Sequence, residues 1–197
     1  MEDMAKLGDL ALKLERYRAN IIHALSWVVF GMVFSGFITL ANALVLLGYH
    51  WSVFWISLAI AGTVGGYIFG NFCKFLPKVK KRWKIGIPLL FIPFIVAYAF
   101  VPKFITANSF YFSVIWYPSL GFGLLLYGIY AERDEIRAMP YAGISMILSS
   151  LILIPLSNLP MNNNNILASG LICTSLMILI YFATAIYVFF KAHKIYA

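Results

Sequence analysis

Several groups of residues in this chain have types and spacings from which chemistry could be built. His23 and His193 could act as axial ligands to a haem iron. Such a pair must project from facing helices at one depth, and His193 falls just past the last apolar run, so both read as solvated histidines at a boundary. Gly143-Ile144-Ser145 resembles part of a nucleophile motif. A serine needs a neighbouring base to attack. His23, His50 and His193 all lie at the ends of apolar runs or in loops, so Ser145 reads as a packing residue, with Ser149 one turn away. Thr63-Val64-Gly65-Gly66-Tyr67 has the composition of a potassium filter with an extra glycine. A filter needs non-helical backbone lining water, and this stretch sits inside an unbroken apolar run.

The acids argue in the same direction. Glu2, Asp3, Asp9, Glu15, Glu132, Asp134 and Glu135 all fall outside the apolar runs. No carboxylate pair is therefore available within a bilayer for hydrolysis, metal binding or proton coupling. Cys73 and Cys173 stand far apart and form no ligand-spaced set. The sequence predicts no catalytic residue, no metal site and no cofactor, and a protein that is not an enzyme.

The elements that carry these residues are set by composition. Of 197 residues, 62% are hydrophobic and only 11% charged, against about 25% charged in soluble domains. A water-soluble domain of this size must present a wetted exterior, which so little charge cannot supply. The apolar runs are Ile21–Leu47, Trp51–Cys73, Ile85–Pro102, Phe104–Ala131, Ala138–Met161 and Ile166–Phe190. Each is near or above the roughly 20 helical residues that span about 30 Å of hydrocarbon. Ile85–Pro102 is the shortest, and Pro88 and Pro93 within it predict a kink.

Charge then sets orientation. The net charge of +8 would point to nucleic acid if it lay on a soluble face, but it lies at the ends of apolar runs, so no nucleic-acid partner is expected. Every Lys and Arg except Lys103 falls in the N-terminal segment, the 74–84 loop, the 131–139 loop or the C-terminus. The positive-inside rule places those segments in the cytoplasm, and an even number of spans is required. The first 20 residues mix acids and bases, and the following run is too long for a signal peptide, so it is expected to remain as a membrane helix. The fold class is thus all-α: a polytopic transmembrane helix bundle of about six spans, both termini cytoplasmic, preceded by a short amphipathic N-terminal helix. Residues 1–20 form that cytoplasmic helix, 21–191 the six-helix transmembrane domain, and 192–197 a cytoplasmic tail. The cell membrane is the expected location.

Small residues at every fourth position mark packing faces. Gly62, Gly66 and Gly70 form one stripe, and Gly31, Ser35, Thr39 and Ala43 another. Helices in lipid gain no hydrophobic drive from each other, so such stripes, which admit a close backbone, predict the first two helices packed along them. Pro118, Ser119, Gly121 and Gly123 make the fourth run the best place for a flexible or substrate-lining helix. A stripe of Met4, Leu7, Ala11 and Leu14, together with the charged 131–139 loop containing Glu132, Asp134 and Arg137, could dock a partner. The expected partners are membrane lipid and a cytoplasmic or membrane protein. The preferred function is the transmembrane subunit of a transport system for a neutral or amphipathic solute, energised through a cytoplasmic partner. A structural or assembly subunit of a larger membrane complex is the alternative, and an intramembrane enzyme is the weakest assignment. Six-span ABC permease halves and vitamin-binding subunits share this outline, though none of their motifs is identifiable.

Overall fold

The computed structural model describes the backbone of residues 2–73, 82–104, 110–131, 137–156 and 162–196. Among them no strand occurs, and the architecture is an all-α bundle. The helices are α1 (Glu2–Leu46), α2 (Ser52–Cys73), α3 (Arg82–Phe104), α4 (Phe110–Val114), α5 (Trp116–Ala131), α6 (Ala138–Ser149), α7 (Leu153–Leu156) and α8 (Asn163–Tyr196). A 3-10 turn, Ser150–Ile152, joins α6 to α7.

Among the described residues three helical stretches are long and apolar enough to cross a membrane: Lys6–Leu46, Ala138–Leu156 and Asn163–Lys194. Ser52–Ile68 and Pro88–Phe100 are shorter apolar stretches. In each of the three long ones, only 33% of the most apolar window is covered by protein. The remainder is half-buried or exposed, and apolar surface left open to this extent suits lipid better than water.

The local chemistry explains where helices begin and end. Gly48, at φ +95°, closes α1. The Tyr49 amide donates to the Leu44 carbonyl at 3.1 Å and the Gly48 amide to Val45 at 3.0 Å, the paired bonds of a Schellman ending. The Ser52 amide then donates to His50 Nδ1 at 3.2 Å, turning the chain straight into α2. Asn162 caps α8 by accepting the Asn165 amide on Oδ1 at 2.8 Å. Pro118 and Pro140 each stand third in their helices, where no amide donor is needed. Pro155 does the opposite. It leaves the Leu151 carbonyl without its helical donor, and the 3-10 turn lies there.

Two expectations change. The amphipathic segment is not a separate helix, because α1 runs unbroken from Glu2 to Leu46. Arg18 to Leu25 contains no Gly or Pro to interrupt it. At 1.5 Å per residue α1 is about 67 Å long and so exceeds a bilayer core by several turns. Likewise the 192–197 tail is helical through Tyr196 as part of α8. α3 passes through Pro88 and Pro93 as one helix.

Packing follows a row. α2 lies on α1, α1 on α8, α8 on α6, α6 on α5 and α5 on α3. The largest core gathers Phe110, Tyr117, Leu124, Met146, Met177 and Tyr181 where α4, α5, α6 and α8 meet. A smaller one joins Ala24, Ala138, Val188 and Ala192 at the end of the molecule that holds both termini.

Candidate functional site

The α1–α8 contact uses the small residues expected on α1, with a different partner. The Tyr181 ring lies across Gly31, so close that a Cβ there would stand 2.5 Å from the ring. Ser35 is buried and returns its hydroxyl to the Gly31 carbonyl at 2.6 Å. Thr39 Oγ1 donates to Thr174 Oγ1 at 2.9 Å. Thr174 passes its own proton to the Gly170 or Leu171 carbonyl. Buried Asn42 abuts Gly170, where a Cβ would stand 3.1 Å from its amide nitrogen. Ala43, next on the stripe, is half-buried. These pairs run in opposite order along the two helices, so α1 and α8 are antiparallel.

The expected pairing of stripes does not occur. Gly62, Gly66 and Gly70 are exposed, and a Cβ on any of them would meet nothing within 4 Å. α2 instead buries Ser57, Ala61 and Gly65, a stripe with the same four-residue spacing one position round the helix. Phe30 of α1 lays its ring 3.0 Å from where a Gly65 Cβ would be. The reason is steric: α1 offers α2 a bulky aromatic side chain, while its own small stripe is taken by the Tyr181 ring. Thr63–Tyr67 is regular α-helix here, with Thr63 Oγ1 bonded to the Ala59 carbonyl at 2.8 Å. A carbonyl-lined filter is not formed by it.

Pro118, Ser119, Gly121 and Gly123 follow Ile115, the single residue between α4 and α5. Helical bonds continue across it, from the Ile115 amide to Tyr111 at 3.0 Å and from the Ser119 amide to Ile115 at 3.1 Å, and the Ser119 hydroxyl also donates to the Ile115 carbonyl at 2.7 Å. Gly121 and Gly123 are not cavity-lining. A Cβ on Gly121 would stand 3.0 Å from the Gly143 carbonyl oxygen of α6, and one on Gly123 would collide with the Leu90 carbonyl of α3. Two turns further, Gly128 admits the Pro140 ring. These glycines allow three backbones to touch, which is a packing role.

No family model, curated protein or solved structure matches this chain. The site has to be read from its own geometry. Tyr117, wholly buried, shares a 2.7 Å hydrogen bond with Ser149 across the α5–α6 contact. Cys173 is a buried free thiol in the same core. Ser145 is exposed on the outer side of α6. Among the described residues no group of three or more His, Cys, Asp or Glu could hold a metal ion.

Of the partner-docking residues, Leu7 (65%) and Leu14 (68%) stand clear of the bundle with Met4, and Arg137 is exposed. Glu132 and Asp134 lie outside the described residues. An open groove of about 390 Å³ separates α1 and α8 near their termini, lined by Tyr17, Ile186, Phe189, Phe190 and His193. Beside it, Lys191 donates to the Tyr187 hydroxyl at 2.9 Å, and the Tyr187 ring stacks obliquely on Tyr141 at 4.7 Å. Thr39, Ser149 and Thr174 are polar residues within apolar runs and so could be expected to bond across helices, but their partners, far apart in the chain, could not be read from the sequence. The Ser57/Ala61/Gly65 stripe was missed although its four-residue spacing is visible.

Proposed function

We propose that the chain is a six-span integral protein of the cell membrane, both termini cytoplasmic, acting as a non-enzymatic subunit of a larger membrane assembly. Six spans are supported by the lengths of α2 and α3, 22 and 23 residues, and by α4 and α5 joining across a single residue. The antiparallel α1–α8 pair supports an even count, since it brings both ends of the chain to one groove. Orientation is supported by the basic residues gathered at those ends and in the 74–84 loop.

The observation that carries the assembly role is the use of Gly121, Gly123 and Gly143. Gly121 and Gly123 were the best candidates for a moving or solute-lining helix, and each, with Gly143 opposite Gly121, is spent on contact between helix backbones. A path between α5 and its neighbours would have to open the closest packing in the molecule. α2 and α3, at the two ends of the row, leave apolar outer faces such as Trp55, Ile60, Ile95 and Phe100 uncovered. Those faces, and the projecting turns around Leu7 and Leu14, are where protein partners would sit. Transport of a neutral or amphipathic solute is the second reading, favoured by Pro118, which supplies no amide donor to the Val114 carbonyl within an otherwise apolar path.

Purification of the tagged chain from its native membrane in a mild detergent, after chemical crosslinking, tests the assignment. Stoichiometric membrane or cytoplasmic proteins should co-purify, with crosslinks to Lys6 or Lys13. Recovery as a lone chain without crosslinks would contradict the assembly role. An ATPase in the preparation would favour transport.

A further inference from the structure

The groove at the paired ends of α1 and α8 has two chemically distinct parts. Ile186, Phe189 and Phe190 form one wall, at i, i+3 and i+4 on α8, and all three are partly exposed, Phe190 most. Inward, the groove stops where Ile21, Ala24 and Leu25 meet Ala185, Val188 and Phe189 with no room for a water molecule. At its other end stand Tyr17 and His193. Lys13 lies one turn from Tyr17 on α1, and Lys194 one turn from Phe190 on α8; both are exposed.

The basic excess at that end comes from α8, which carries Lys191, His193 and Lys194 in its last turns and no Asp or Glu over its whole length. On α1 the four bases Lys6, Lys13, Arg16 and Arg18 are matched by Glu2, Asp3, Asp9 and Glu15, with Lys13 paired to Asp9 at 3.2 Å. An apolar slot open sideways, ending in a basic rim at the level where aromatic residues collect, has the complement of an amphiphile with an anionic head. We infer that this groove binds an anionic phospholipid, with an acyl chain along Ile186, Phe189 and Phe190 and its phosphate between Lys13, His193 and Lys194. The site rests on the reading of α1 and α8 as membrane-spanning with these ends at the cytoplasmic headgroups. It would tie the two ends of the chain together through a lipid.

The test is native mass spectrometry of the full chain after equilibration with an equimolar mixture of phosphatidylglycerol and phosphatidylcholine in detergent. The wild-type protein should retain phosphatidylglycerol in excess. The K13Q/K194Q variant should lose that preference by roughly fivefold for each lysine removed. I186W, which fills the slot, should reduce retention of both lipids. K103Q, in a helix that contributes no wall to the groove, should leave the preference unchanged. Equal retention of the two lipids by the wild type, or full preference in K13Q/K194Q, would overturn the site. Recovery of the chain in buffer without detergent is a different result and would remove the membrane reading itself.

Discussion

Two stripes of small residues run along α2, one residue apart. Gly62, Gly66 and Gly70 face away from the protein, while Ser57, Ala61 and Gly65 are buried against α1. By sequence the glycine stripe is the stronger packing signal, because glycine admits the closest backbone. The structure uses the other. What decides is the partner: α1 presents the Phe30 ring, and a broad ring needs only one bare position, which Gly65 provides. Small spacing therefore marks faces that are able to pack, and the opposing side chain chooses among them. The α5–α6 contact is the contrasting case, in which glycines on both helices let backbone meet backbone.

That contrast can be broken by substitution, beginning where the backbones touch. A Cβ at Gly143 would stand 2.6 Å from the Gly121 carbonyl oxygen and from the Leu125 amide nitrogen. Neither can swing aside. G143L should destabilise by about 3 kcal/mol or more, at the upper end of overpacking losses, seen as a large fall in thermal unfolding temperature in detergent. An unfolding temperature within a degree or two of the wild type would mean that this contact is not formed.

On α2 the difference should be smaller and sharper. G65L must displace the Phe30 ring and should lose about 1–3 kcal/mol. G66L meets open space and should stay within about 0.5 kcal/mol of wild type, since surface changes rarely do more. Equal effects, or the reverse order, would return the glycine stripe to the α1 interface. The same pair of variants measured in bilayers would show whether a second protein covers the glycine stripe.

How much of this was legible depends on which physical rule a residue obeys. The apolar runs, the tight reversal at Gly48 and the start of α8 beside its asparagines follow from local rules of hydropathy, φ and capping, and each could be found from the sequence. Which faces meet could not. Gly31 and Thr39 were recognised as contact residues, but their partners Tyr181 and Thr174 are on the last helix, remote in the chain. Gly121 and Gly123 resembled a flexible point because glycine serves both close packing and bending, and only the neighbours Gly143 and Leu90 decide between them. The continuity of residues 1–20 into the rest of α1 was legible in the absence of Gly or Pro from Arg18 to Leu25, but the change from charged to apolar residues drew the boundary there instead.

The smallest effect concerns polar groups in the α1–α8 contact. Thr39→Val and Thr174→Val, combined in a double-mutant cycle, should show a coupling of about 0.6 kcal/mol, the average for interhelical hydrogen bonds in membranes. Zero coupling would mean that the bond at 2.9 Å contributes nothing beyond van der Waals contact.

A chain that weaves through a bilayer with its two ends on the cytoplasmic face has a labelling pattern of its own. Single cysteines placed by Lys6→Cys, His50→Cys, Lys80→Cys, Asn163→Cys and Lys194→Cys, in a background lacking Cys73 and Cys173, can be probed in intact cells with a membrane-impermeant thiol reagent. His50→Cys and Asn163→Cys should label from outside, and Lys6→Cys, Lys80→Cys and Lys194→Cys only after the membrane is opened. Labelling of Lys80→Cys or Lys194→Cys in intact cells, or protection of His50→Cys, would contradict that topology.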